Sequence, residues 1–233
     1  MISAVTDRYT IHVVDDDDGF RNSMLRLLSA SGWRAVGHSC AGEFLLADNP
    51  DEPCCILLDM CMPGPNGLEL LSALTARAAA PPVIFVTCMA DIPTSVHALR
   101  SGAVDYLTKP VHTEALLHSV RNAIALDIER RAVRSQINDA CQRYDQLSRR
   151  EQTVFHGVVS GKLNKQIAAE LGTCERTIKA HRARVLAKFE AGSLAGLVRS
   201  AILLNKSTTS PQPQDGAPAL LRKGAPLPAP CTH

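Results

Sequence analysis

Cys54-Cys55-Ile56-Leu57-Leu58-Asp59-Met60-Cys61-Met62-Pro63-Gly64-Pro65-Asn66-Gly67-Leu68-Glu69-Leu70 is the stretch on which the reading of this chain turns. An apolar run carries one carboxylate, Asp59, to the end of a buried strand, and Pro63, Gly64, Pro65 and Gly67 enforce a loop before an amphipathic helix begins. In an open parallel sheet the carboxyl ends of the strands line the crevice where ligands bind, so an acid placed there is suited to chemistry. From this stretch alone a plainer reading stays open beside it, in which Asp59 caps the following helix.

The same alternation extends in both directions. Ile11 to Asp15 is a short apolar run ending in Asp15-Asp16-Asp17-Asp18, followed by Phe20, Met24, Leu27 and Leu28 at helical spacing. Further strands are predicted over 35–37, 82–86 and 104–107, each followed by a helical pattern. Strands alternating with helices over about 125 residues predict a doubly wound α/β domain of flavodoxin-like type with a parallel sheet. From Glu114 the helical pattern runs on through Leu126, Ile128, Val133 and Ile137, giving a linker helix over 126–146. A solvated spacer and a segment that pairs two chains both fit it. A second, all-α domain follows over 147–206, with helices predicted at 149–159, 164–171, 175–189 and 193–204; Gly161 and Gly172 fall at turns, and Ser148 with Glu151 has capping-box form. From 207 to 233 the chain is Ser, Thr, Pro, Gln, Gly and Ala with little periodicity and reads as a disordered tail.

The net charge of +2 conceals a division. Residues 1–125 hold 8 Lys/Arg against 14 Asp/Glu, whereas 147–205 hold 10 against 4. The acidic end suits a metal cation and the basic end a polyanion such as nucleic acid. The 8 cysteines, without a C-x-x-C pair and several of them inside apolar runs, fit a reducing compartment better than a disulfide framework or a zinc site. The N-terminus has no apolar signal region and no run is long enough to span a bilayer, so the expectation is a soluble, cytoplasmic protein without a membrane partner.

Asp15 and Asp16 follow the first strand, Asp59 the third, Thr87 the fourth and Lys109-Pro110 the fifth. In a parallel sheet these ends lie together. Clustered carboxylates need a cation among them, and Mg²⁺ suits because it takes oxygen ligands and fills its octahedron with water and phosphoryl oxygens. Lys109 and Thr87 are placed to hold the remaining oxygens of a phosphoryl group, one by charge and one by hydrogen bond.

Val13-Val14-Asp15-Asp16, Leu58-Asp59-Met60-Cys61-Met62-Pro63-Gly64, Val86-Thr87 and Asp105-Tyr106-Leu107-Thr108-Lys109-Pro110 resemble the receiver domain of two-component response regulators, over residues 1–125. That resemblance implies that Asp59 is the phosphoacceptor for a sensor histidine kinase and Asp16 a direct Mg²⁺ ligand. It implies that Asp15 is a metal-site acid acting through water and that Cys61 lends its backbone carbonyl to the metal. Thr87 and Lys109 are then phosphoryl-binding catalytic residues, Tyr106 with Thr87 the switch, and Lys109-Pro110 a cis peptide. Such a domain catalyses only its own phosphorylation and dephosphorylation and is not otherwise an enzyme. Cys88 stands where the family has a smaller residue, and Met89 places apolar bulk on the path of an attacking water; slow self-dephosphorylation is expected.

In the basic end, Ile178, Val185 and Phe189 share one helical face with His181, while Arg176, Lys179, Ala180, Ala183 and Arg184 form the opposite arc. Small and basic residues let a helix approach a major groove. Leu147-Ser148-Arg149-Arg150-Glu151, Gly161-Lys162-Leu163-Asn164-Lys165-Gln166-Ile167-Ala168 and Thr177-Ile178-Lys179-Ala180-His181-Arg182 resemble the LuxR-type helix-turn-helix. The two resemblances together match the NarL/FixJ class of response regulators, transcriptional regulators of double-stranded DNA that act as homodimers when phosphorylated and can engage RNA polymerase. Lys179, Arg176 and Arg184 are then candidates for groove contacts, and Lys165, Thr177 and Arg182 for phosphate contacts. A different class stays open: Asp16-Asp17-Asp18-Gly19 also resembles the nucleophile loop of haloacid-dehalogenase-type phosphatases, although Phe20 stands where that family has Thr or Ser.

Overall fold

The computed structural model describes residues 9–47, 53–77, 80–88 and 92–209, which fall into two compact units divided between Glu129 and Arg130. In the first, strands β1 (Thr10–Val14), β2 (Arg34–His38), β3 (Cys54–Leu58), β4 (Val83–Thr87) and β5 (Asp105–Thr108) alternate with helices α1 (Asp18–Ala30), α2 (Ala41–Leu46), α3 (Gly67–Thr75), α4 (Ile92–Arg100) and the start of α5 (Thr113–Asp145). Every pairing is parallel and the order is β2-β1-β3-β4-β5. The chain therefore changes winding direction between β1 and β3, and the crevice above their carboxyl ends is where such a sheet binds ligands.

β1, β3 and β4 are buried along their whole length, as strands covered on both faces must be. Successive side chains divide between two cores. Ile11, Val13, Cys55, Leu57, Ile84 and Val86 pack with Leu28, Leu116, Val120 and Ile124 on one face. Val14, Ile56, Leu58, Val83 and Phe85 pack with Leu70, Leu71, Leu74 and Ala98 on the other. β2 lies at an edge and alternates between exposed and partly covered positions until His38, its last residue, which is buried.

Caps set where the helices begin. Asp17 accepts hydrogen bonds from the Gly19 and Phe20 amides to start α1, and Asn66 with Glu69 forms a capping box on α3. The cap of the helix after β3 is thus Asn66, which leaves Asp59 outside that role. α5 continues unbroken to Asp145, buries Leu116, Val120 and Ile124 in the first core, and holds buried Asp127 against the hydroxyl of Tyr9 at 3.2 Å.

The second unit packs α6 (Arg149–Val159), α7 (Asn164–Glu170), α8 (Glu175–Lys188) and α9 (Leu194–Thr209) around Val154, Phe155, Val158, Ile167, Ile178, Val185, Phe189 and Leu197. Ser148 and Glu151 form the capping box of α6. Glu151 is buried and its Oε2 also accepts from Lys188 Nζ at 2.8 Å, tying the start of α6 to the end of α8. The turn between α7 and α8 passes through Gly172 at φ +60°, a backbone region that glycine enters without steric cost. α9 runs to Thr209, five residues beyond the helix expected from periodicity, so Ser207, Thr208 and Thr209 are helical; residues 210–233 of the expected tail lie outside the described residues.

Candidate functional site

Asp15, Asp16 and Asp59 each direct a carboxylate oxygen to one place at the carboxyl edge of β1 and β3, and these atoms all lie within 4.8 Å of one another. The sheet itself positions two of them. The Asp15 amide donates to the His38 carbonyl at 3.1 Å, and the Asp59 amide donates to the Val14 carbonyl at 2.9 Å, so each residue is held by the last rung of a ladder. Asp15 and Asp59 are buried and Asp16 is exposed. Asp15 Oδ1 accepts the Asp17 amide at 3.0 Å, and Asp59 Oδ2 accepts the Cys61 amide at 3.2 Å.

Lys109 enters from the end of β5, after a cis peptide to Pro110 and with its own amide donating to the Thr87 carbonyl at 2.8 Å. Its Nζ lies 2.7 Å from Asp15 Oδ2 and 3.5 Å from Asp59 Oδ1. Burial pulls the Lys109 pKa down, but the hydrogen bond and charge of Asp15, with the charge of Asp59, outweigh it and hold the amine above its usual value. Burial raises the Asp15 pKa, with the nearby Asp59 adding to the effect and the Lys109 bond opposing it. Three acids face one amine, so the pocket favours a further cation. Thr87 is fully buried, and its Oγ1 lies 4.0 Å from Cys61 Sγ. Tyr106, paired in register with Phe85, is half-buried against the second core.

Three residues of this site escaped the sequence reading. Phe20 places its ring centroid 4.1 Å from Lys109 Nζ, a cation–π contact that holds the amine from beneath. Helical spacing marked Phe20 as a core residue and carried no sign of the lysine. Arg21 donates to the Asp15 carbonyl at 2.7 Å and pairs with Asp18. Gly67, the first residue of α3, lies so close under Asp59 that an added Cβ would stand 2.5 Å from the Asp59 carbonyl oxygen and 2.8 Å from Phe85 Cε1. Met89 lies outside the described residues.

In the second unit, α8 buries Ile178 and Val185, with Phe189 at its C-cap buried beside them, and exposes Arg176, Lys179, Ala180, Ala183 and Arg184. Lys165 is exposed on α7. Thr177 is partly covered, with Cys174 Sγ 3.2 Å from its hydroxyl. Arg182 is partly covered as well and donates to Asn164 Oδ1 at 3.2 Å, linking the two helices of the turn. His181 is half-buried, with Nδ1 buried and without a hydrogen-bond partner among the described residues.

Among the described residues no helix is long and apolar enough to cross a membrane. Residues 11–121 match the response regulator receiver domain, and residues 145–201 match the luxR family of bacterial regulatory proteins. The chain is 40% identical over 193 residues to the transcriptional regulatory protein FixJ of Azorhizobium caulinodans, covering 83% of this chain and 92% of that one. It is 42% identical over 195 residues to the C4-dicarboxylate transport transcriptional regulatory protein DctR of Rhodobacter capsulatus, covering 82% and 98%. Among solved structures, the response regulator StyR superposes with a TM-score of 0.74 at 38% identity, covering 84% of this chain and 98% of that one. Nothing in these likenesses supports the phosphatase reading of the Asp16–Gly19 loop, and in the structure Asp17 of that loop serves as the cap of α1. With a receiver fold followed by a luxR-type helical domain, and with relatives of this identity along most of its length, the chain belongs to the FixJ/NarL class of two-component response regulators, the DNA-binding transcriptional regulators that answer to sensor kinases.

Proposed function

We propose that this protein takes a phosphoryl group onto Asp59 from a phosphohistidine of a sensor histidine kinase and thereby controls its binding to double-stranded DNA. The observation that carries the reading is the convergence of Asp15, Asp16 and Asp59 within 4.8 Å beside the amine of Lys109, at the switch point of the sheet. A carboxylate oxygen of Asp59 attacks phosphorus in line with the departing imidazole nitrogen, and negative charge spreads over the equatorial oxygens. Lys109 already reaches toward Asp59 and meets that charge without leaving the pocket. The Cys61 amide, bonded to Asp59 Oδ2, keeps the carboxylate oriented. The three carboxylates, with the carbonyl of Cys61, suit Mg²⁺, which when bound supplies further positive charge to the phosphoryl oxygens.

Thr87 and Tyr106 form the switch in this reading. The Thr87 hydroxyl turns to a phosphoryl oxygen, and the Tyr106 ring moves inward from its half-buried place at the edge of the second core. The receiver occupies 1–125, a linker 126–146 and the DNA-binding domain 147–206. The exposed arc of α8 enters the major groove with Arg176, Lys179 and Arg184, while Lys165, Thr177 and Arg182 hold phosphates; the Arg182 bond to Asn164 fixes the helix-turn-helix angle as it does so. A cytoplasmic homodimer binding two half-sites, in contact with RNA polymerase, completes the reading.

The experiment is label uptake from radiolabelled acetyl phosphate with Mg²⁺, followed by selection of bound DNA from a random pool. Asp59→Asn is expected to take up no label and to select no better after treatment. Uptake by Asp59→Asn equal to the parent removes the proposal.

A further inference from the structure

Helix α8 ends against the linker. Its last turn closes in a Schellman motif, with the Glu190 amide donating to the Ala187 carbonyl at 3.0 Å and the Ala191 amide to the Leu186 carbonyl at 2.9 Å. The residue that leads the chain out of such a motif takes a left-handed backbone and is commonly glycine. Here it is Glu190, at φ 51°. A carboxylate thus stands where glycine would rest without strain, and its contacts show what the position gains. Glu190 Oε2 accepts from Arg143 Nη2 at 2.7 Å, while Nη1 of the same guanidinium donates to the Phe189 carbonyl at 2.9 Å. That carbonyl belongs to the C-cap of α8, among those that a helix end leaves without an intrahelical partner. Arg143 lies in the last turn of α5, the helix whose first turns pack in the receiver core. A second tie runs the other way, from Lys188 Nζ to the Gln146 carbonyl at 2.9 Å. The Phe189 ring stacks on Phe155 at 5.1 Å, and Tyr144 of α5 meets Phe155 edge-on at 5.5 Å.

We propose that Arg143 is a positioning residue for DNA recognition: from the end of the linker helix it fixes the C-terminal end of α8, and so the angle at which Arg176, Lys179 and Arg184 meet the groove. The proposal rests on the reading of α8 as the helix that enters the major groove. Arg143 acts through α8 and meets no base or phosphate itself. A helix rises about 1.5 Å per residue, so Phe189 lies roughly 15 Å along the axis from Lys179, and a tilt of about 5° at one end displaces the other by about 1.3 Å. A directed hydrogen bond to a base edge does not survive such a shift. A long basic side chain can follow a phosphate through it, so a loosened clamp costs discrimination and not general affinity. The planar guanidinium satisfies carbonyl and carboxylate together, which a lysine in its place would not. Because Glu190 is exposed, its ion pair is the weaker of the two bonds, and the bond to the Phe189 carbonyl carries the larger share.

The test uses the full-length protein after treatment with acetyl phosphate and two probes, the duplex that the parent selects from a random pool and a duplex of unrelated sequence. Discrimination is the ratio of the two affinities, read over a range of salt beside urea unfolding. Arg143→Gln is expected to lose about tenfold in discrimination, the worth of about one base contact, all of it on the selected duplex and with the salt slope of the parent. Glu190→Gly removes the carboxylate and relieves the backbone; it is expected to unfold at no lower urea concentration than the parent and still to lose about threefold in discrimination. Tyr144→Phe removes a 2.7 Å bond from the same helix end to His156 of α6 and is expected to discriminate as the parent does. Parental discrimination in Arg143→Gln or in Glu190→Gly would overturn the proposal, as would a loss shared equally by both duplexes or a Tyr144→Phe protein that falls as far as Arg143→Gln. Lys179→Glu is measured beside them. If it alone loses discrimination, only the positioning role is removed; if Lys179→Glu and Arg143→Gln both keep it, the reading of α8 falls as well.

Discussion

Replacing Gly67 with Ala should damage phosphoryl uptake although Gly67 has no reactive group. The added Cβ would sit 2.5 Å from the Asp59 carbonyl oxygen, 2.8 Å from Phe85 Cε1 and 3.0 Å from Met60 Cα. An unstrained contact needs about 3.4–3.5 Å, so roughly 0.9 Å must be found between the start of α3 and the end of β3. Phe85 is fully buried and cannot yield, so the displacement falls on Asp59 and Met60. Forcing extra volume into a packed site costs about 1–3 kcal/mol, and misplacing a reacting group by about 1 Å can cost on the order of a hundredfold in rate. Gly64 provides the control. It stands at φ +89° with nothing within 4 Å of an added Cβ, so Gly64→Ala strains the backbone by about 1–2 kcal/mol without pushing Asp59. Urea unfolding and the initial rate of label uptake from acetyl phosphate should therefore separate. Both variants lose stability to a similar degree, and only Gly67→Ala labels at least tenfold more slowly. Equal labelling rates in the two variants would refute the steric argument.

Three further outcomes follow from single contacts. Phe20→Leu keeps an apolar side chain but removes the ring 4.1 Å below Lys109 Nζ; with a cation–π contact worth about 1 kcal/mol, label uptake should fall roughly fivefold, and an unchanged rate would show that the salt bridges alone hold the amine. Lys188 and the Ser148 amide hold the Glu151 carboxyl down at about 2 from an ordinary 4.5. A lowered carboxyl pKa stabilises the fold above pH 4.5 and loses that stability as pH falls toward 2; with Lys188 partly in solvent, about 2 kcal/mol is expected. Glu151→Gln should speed hydrogen exchange in α6 at pH 7 and match the parent near pH 2, and a gap that ignores pH would contradict this. Lys165→Gln should weaken binding to all DNA sequences alike and lower the slope of log affinity against log salt by about 0.9, whereas Lys179→Glu should abolish selection; a selective effect of Lys165 on one sequence would move it from phosphate to base contact.

Periodicity reached the fold because its cause is repetitive. Ile11 and Val13 face one core, Val14 and Ile56 the other, and strands covered on both faces are written as short, largely unbroken apolar runs between helical patterns, which are visible without coordinates. The acids were legible for a related reason, since a carboxylate that ends an apolar run can only lie at the rim. What stayed hidden depends on approach between elements distant in sequence. Nothing local marks Phe20 as the support of Lys109, 89 positions later, or Gly67 as the floor under Asp59. Arg182 was legible as a basic residue, but its bond to Asn164 depends on the angle at which α7 meets α8, which no helical wheel contains. The extension of α9 to Thr209 was missed because Asn205-Lys206-Ser207-Thr208-Thr209 lacks an apolar stripe, and a helix already nucleated upstream needs none to propagate.

Lys109 joins these threads. Its amine is 0.8 Å nearer to Asp15 than to Asp59, at 2.7 and 3.5 Å, so the tighter pair is with the acid that is not proposed to react. An amine bound more closely to Asp59 would neutralise the nucleophile before the phosphoryl group arrived. Held on Asp15 and backed by Phe20, the ammonium instead stands within reach of the charge that the proposed transfer would create. Its backbone amide meanwhile rests on the carbonyl of Thr87, and the Thr87 side chain touches the rim at Cys61. Under the proposed function, a new anion on Asp59 would therefore act on one connected set of groups, the lysine, the end of β4 and the β5 residues that follow Tyr106, and that connection would give a charge at the edge of the sheet a route to its surface.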